Sequence, residues 1–146
     1  MERPQSIIWF ERFYLGSLAL GIVDTVANWS KSQAEVVASP GAALLPTWFM
    51  PLAVSISIFI GFLLWYFVAR RASVVAKWIN VIFFGLALIA LPQTFSRVST
   101  GADSPLQALA SLIVYALNGA AVWMLFRPDT KPWFDKKTPD LRETFN

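Results

Sequence analysis

Long apolar stretches separated by short charged segments set the plan of this chain. Residues 36–69 carry no charge over 34 positions, residues 78–96 over 19 and residues 104–126 over 23. A helix needs about 20 mainly apolar residues to cross a hydrocarbon core of about 30 Å. The last two runs predict one spanning helix each, over 75–95 and 105–126. The first run exceeds one span and is broken early by Pro40, Gly41, Pro46 and Pro51. Its helix is placed at 47–69, with the prolines near its start, where a missing N–H costs least. Only 11 residues separate Arg12 from Asp24, too few for a span. The wider stretch 6–28 is mostly apolar and predicts the first helix. Glu11 and Arg12 then lie about one turn inside one interface, with Asp24 near the other.

Local signals mark the ends. Ser104-Pro105-Leu106-Gln107 reads as an N-cap, a proline at the first helical position and a capping-box glutamine. Ser32-Gln33-Ala34-Glu35 has the same form and predicts a short surface helix in the first loop. Arg127 followed by Pro128 ends the last span with a cation at its negative pole.

Charge gives the bundle a direction. With four spans, the N-terminus, the second loop and the C-terminal tail share one side and hold ten of the 12 basic residues; Lys31 and Arg97 fall opposite. Were the first segment not to span, the split would fall to eight against four. The positive-inside rule therefore favours four spans with both termini cytoplasmic. A cleaved leader is not expected: Glu2 sits in the basic region, Glu11-Arg12 interrupts the apolar stretch, and no small-residue cleavage pattern follows. Aromatic residues fall at the expected interfaces, with Trp9, Trp65, Tyr66, Trp78 and Trp123 on the cytoplasmic side and Trp29 and Trp48 opposite.

Composition agrees and removes chemistries. Hydrophobic residues make up 56% of the 146, against 14% charged, and mean hydropathy is +0.54. Soluble domains average about 45–50% apolar and about 25% charged. The expected class is all-α, a polytopic membrane protein with a four-helix transmembrane domain over 1–126. Residues 127–146 form a polar cytoplasmic tail. With no Cys and no His, thiol nucleophiles, disulfides, imidazole bases and most zinc or copper sites are excluded. The net charge of +3 is too mild for nucleic acid.

Polar residues inside spans carry the remaining information, because lipid cannot satisfy them. Tyr14, Ser17, Gly21, Asp24, Thr25 and Asn28 share one face of the first helix. Gln107, Ser111, Tyr115 and Asn118 form a matching stripe on the fourth. Depth matching yields a candidate intramembrane site of Asp24, Thr25, Asn28, Gln93 and Gln107, with Thr94 beside it. It also yields an inner-interface cluster of Glu11, Arg12, Tyr14, Lys77, Asn80 and Asn118. Both groups are expected to face the bundle interior. Their ordinary role is interhelical hydrogen bonding worth about 0.6 kcal/mol each, with Glu11 paired to Arg12 or Lys77. The sharper alternative makes Glu11 or, better placed by depth, Asp24 an ion- or proton-responsive site. In the tail, Trp133, Phe134, Lys136 and Lys137 are expected to anchor on the lipid surface, aromatics at headgroup level and lysines toward anionic lipid.

Three stretches carry a resemblance. Arg3-Pro4-x-Ser6-Ile7 with Phe10-Glu11-Arg12-x-Tyr14-Leu15-x-Ser17-Leu18 is one. Arg70-Arg71-Ala72-Ser73 with Ala76-Lys77-Trp78 is the second, and Leu125-Phe126-Arg127-Pro128 with Trp133-Phe134 the third. Together they resemble small four-helix bacterial inner-membrane proteins. The resemblance implies architecture and location and supplies no catalytic residue. Small multidrug-resistance transporters also place a glutamate in helix one, but theirs lies deep among small residues; here Glu11 abuts Arg12 near the headgroups.

The expected function is therefore non-enzymatic, an accessory, assembly or scaffold component of the inner membrane. The alternative is a small homo-oligomeric transporter or channel using the intramembrane polar residues. A lipid-modifying enzyme would need clustered carboxylates or an activated serine, and neither motif is present. No cofactor or metal is expected. The expected partners are the bilayer and a membrane protein or a second copy of the chain.

Overall fold

The computed structural model describes residues 3–41 and 44–135. Those residues form helices α1 (Gln5–Ala27), α2 (Trp29–Ala38), α3 (Phe49–Ala69), α4 (Val74–Ser99), α5 (Pro105–Met124) and α6 (Lys131–Asp135), with a 3₁₀ turn at Pro128–Thr130 before α6. Four of them, α1, α3, α4 and α5, are long and apolar enough to cross a membrane.

The helices start and stop for local reasons. Ser104 and Gln107 make the capping box that opens α5, each side chain bonding the other's backbone N–H, with Pro105 at the first position. Ser73 caps α4 by accepting from the Ala76 N–H at 3.2 Å. The first loop holds the expected short surface helix, but its start differs. Here α2 follows α1 after the single residue Asn28, and no side chain caps it, so Ser32 is interior rather than a cap. At the other end of α4, Pro92 does not stop the helix, which runs to Ser99 and takes Arg97 with it. The α3–α4 turn puts Ala72 at φ 49°, in the left-handed region, where its methyl group is buried in the core.

The four long helices form an antiparallel bundle. α1 packs chiefly on α5 and α3, and α4 on the same two, so α1 and α4 face each other across the bundle axis. The buried hydrophobic residues lie at the end where α1 begins and α5 stops. Ile7, Phe10 and Tyr14 of α1 meet Leu64 and Val68 of α3, Ala76 of α4 and Ala121 of α5. Ala69, Ala72, Ala76 and Ala121 line this closed end; side chains this small let helix backbones approach where hydrophobic force is weak.

Toward the opposite, loop end no described residue is buried. Only 11% of the apolar window of α4 and 6% of that of α5 are buried. Phe59, Ile82, Leu86 and Ile89 instead face outward. An apolar surface this continuous is the pattern of a lipid-facing bundle and not of a water-soluble one.

Candidate membrane-embedded site

The loop end is tied by one connected polar network. α1 stops where Asn28 leaves helical geometry (φ −103°, ψ 15°). Its side chain folds back, donating to the Asp24 carbonyl at 3.0 Å and to Asp24 Oδ1 at 2.8 Å. The Asn28 Oδ1 accepts from Gln107 Nε2 on α5. Gln107 Oε1 closes the capping box at 3.0 Å and lies 3.4 Å from Lys31 Nζ. Asp24, Asn28 and Gln107 are thus brought together, as the facing polar stripes imply. Thr25 is adjacent, its hydroxyl donating to the Gly21 carbonyl at 2.7 Å.

Gln93 does not join them. It is exposed on α4 and away from the cavity described below. The reason is helical phase: Asn80, Phe84 and Ala87 line that cavity, and continuing their spacing reaches 91 and 94, not 93.

Four charged residues extend the network beyond the expected set. Lys31 donates to the Asp103 carboxylate and to the Ala102 carbonyl. Arg97 Nε donates to Asp103 Oδ2 at 2.7 Å, and its Nη2 reaches Asp103 Oδ1 at 3.2 Å and Glu35 Oε1 at 2.6 Å. Bonding from the Arg97 guanidinium first, and from Lys31 second, holds the Asp103 carboxyl down at about 2, against an ordinary 3.8. A charge balance could have found these residues. Lys31 and Arg97 are the two basic residues expected on that side, and Glu35 and Asp103 share it.

Beneath the network lies a cavity of about 760 Å³ between α1, α4 and α5. Asp24, Asn28 and Gln107 line one end; Tyr14, Asn80 and Asn118 line the other. The walls between include Phe83, Phe84, Ala110 and Val114. Asn80 is 6% exposed, and its Nδ2 has no acceptor among the described residues. Asn118 Nδ2 bonds back to the Val114 carbonyl at 3.3 Å. The Tyr14 hydroxyl donates to the Gly61 carbonyl at 3.1 Å, tying α1 to α3.

The inner-interface cluster divides. Tyr14, Asn80 and Asn118 converge on the cavity; Glu11, Arg12 and Lys77 do not. Glu11 pairs with Arg3 at 3.0 Å and Arg70 at 3.6 Å, rather than with Arg12 or Lys77. Neighbouring helix positions point about 100° apart, so Arg12 turns away and lies 5.2 Å from the Trp9 ring. Lys77 is on α4, across the axis from α1. It sits over the rings of Phe126 at 4.3 Å and Phe134 at 5.0 Å.

The tail aromatics also differ from expectation. Phe134 is buried in the closed-end core, and Trp133 Nε1 reaches the Val68 carbonyl at 3.5 Å. Phe134 thus closes the end of the bundle, with Trp133 half-buried against it. The turn at Pro128–Thr130 redirects the chain, fixed by the buried Thr130 hydroxyl on the Arg127 carbonyl at 2.7 Å. Lys136 and Lys137 lie outside the described residues.

Comparison with protein-family models, curated proteins and solved structures finds no match.

Proposed function

We propose that the protein is a small multi-pass component of a bacterial inner membrane, with both termini cytoplasmic. It works by packing and binding rather than by catalysis, as an accessory, assembly or scaffold subunit. The supporting observation is where the carboxylates are engaged. Glu11, Glu35 and Asp103 form ion pairs between segments, and Asp129 bonds Ser6 on α1. Such acids are committed to fastening helix ends, whereas a metal or acid–base site needs them convergent. The lipid-facing surfaces of α3, α4 and α5 then supply area for a partner helix.

The orientation rests on the basic residues. Arg3, Arg12, Arg70, Arg71, Lys77, Arg127 and Lys131 all belong to segments at the closed end, which the positive-inside rule assigns to the cytoplasm. Extraction in mild detergent followed by native mass measurement tests the subunit reading. A complex of fixed stoichiometry with another membrane protein is expected. A lone chain or homo-oligomer that carries out solute flux in liposomes would overturn it.

The cavity favours a second reading, a small homo-oligomeric transporter or channel. A single four-helix bundle rarely encloses a pathway, so this reading requires a second copy.

A further inference from the structure

The two ends of the α1–α4–α5 cavity differ in chemistry. Asp24, at the loop end, has the Asn28 amide as its side-chain partner among the described residues. No described basic group forms a salt bridge with it, whereas Glu11 and Asp103 each face two cations. At the far end the buried Asn80 amide has a donor with no acceptor among the described residues. Unmatched polar groups of this kind in a low-dielectric interior are costly. Tyr14 and Asp24 are ten residues apart on α1, a rise of about 15 Å. Aromatic walls from Phe83 and Phe84 lie between.

We propose that this cavity binds a small amphipathic organic cation, its charge beside Asp24, its apolar body along Phe83 and Phe84, and a hydrogen-bond acceptor toward Asn80. The volume of about 760 Å³ lies within the range of about 300–1,000 Å³ for small-molecule sites. Charge selects the occupant. A lipid acyl chain fills the walls but leaves the Asp24 carboxylate and the Asn80 donor unmatched. An anionic headgroup is repelled by Asp24. A multivalent metal ion wants several oxygen ligands, and no group of three acids gathers among the described residues. An organic monocation matches the single carboxylate, and its apolar body matches the aromatic walls. The site stands independently of the subunit reading, since either a scaffold or a transporter can hold a ligand.

The test uses the full chain in nanodiscs, with empty nanodiscs as the partition control. Three probes share one body: N-(6-aminohexyl)benzamide, cationic at neutral pH; N-hexylbenzamide, neutral; and 6-benzamidohexanoate, anionic. Equilibrium dialysis is expected to show saturable uptake of the cation at one site per chain, at least tenfold tighter than either control. Asp24→Asn is expected to weaken the cation about tenfold and leave the neutral probe unchanged. Ala110→Phe, which narrows the cavity between its two ends, is expected to weaken uptake of the cation and of the neutral probe. Equal uptake of cation and neutral probe by the wild-type chain would overturn the proposal, and this comparison does not depend on any variant folding. So would absence of saturable uptake, or cation binding that survives Asp24→Asn.

Discussion

The carboxylate of Asp129 accepts two hydrogen bonds from Ser6, from its backbone N–H at 3.1 Å and its hydroxyl at 2.7 Å, across 123 residues. Ser6 lies in the first turn of α1, which begins after Pro4 with no side-chain cap of its own. The tail thus provides the cap that the local sequence lacks, with a negative charge at the positive pole of the helix. Asp129→Ala is expected to cost about 1 kcal/mol, toward the low end because the carboxylate is exposed. Thermal unfolding in detergent reads the loss. Ser6→Ala in the Asp129→Ala background should add little, because the two residues act as one pair.

Stability should depend on acid through Asp103. Its folded-state carboxyl titrates at about 2 against an ordinary 3.8, chiefly because Arg97 bonds it and then because Lys31 does. A depressed acid stabilises the fold above its unfolded value and loses that contribution as pH falls toward its folded value. Melting temperature is therefore expected to drop between pH about 4 and about 2. Asp103→Asn should lower it at neutral pH and flatten this part of the profile. Glu35→Gln should change it by less than about 1 kcal/mol, since both members of the Arg97–Glu35 pair are exposed.

Two glycines should respond oppositely to alanine. A Cβ at Gly61 would lie 3.0 Å from Leu18 Cδ1, at the helix contact that holds the Tyr14–Gly61 bond. A Cβ at Gly85 meets nothing within 4 Å. Gly61→Ala is expected to lower the melting temperature and loosen α1 from α3, while Gly85→Ala leaves it unchanged or higher. Cysteine cross-linking between α1 and α3 would report the loosening directly.

The tail plug predicts a stability effect rather than a membrane-binding one. Phe134 is 6% exposed, and truncating a buried phenylalanine costs about 3–5 kcal/mol. Phe134→Ala is expected to destabilise the closed end strongly while the chain stays in the membrane fraction. Trp133 fluorescence should resist quenching by bromine placed at the lipid headgroups. Strong quenching would put the aromatics on lipid.

What could be read from the sequence follows from the range of each interaction. The long apolar helices were legible because uncharged length is a local property that charges punctuate. So was the start of α5, where cap, proline and glutamine lie within four residues. The Asp24, Asn28 and Gln107 grouping was legible because two helical stripes had to meet. Glu11 has Arg12 beside it in sequence and Lys77 near it by depth, but its partners Arg3 and Arg70 come from just before α1 and from the α3–α4 turn. Trp133 and Phe134 beside lysines have the composition of a lipid anchor; the turn at Pro128–Thr130 and the docking of Asp129 on Ser6 bring Phe134 inward. Lys31, Glu35, Arg97 and Asp103 come together from three segments, and no local pattern joins them.

The most direct test of the four-span orientation pairs two reporters at two positions. Alkaline phosphatase is active only outside the cytoplasm and green fluorescent protein only within it, so each is fused after Gln33 and after Asn146. Phosphatase activity at Gln33 with fluorescence at Asn146 is the expected result, placing the α1–α3 connection outside and the tail inside. Matching behaviour at the two positions would contradict it.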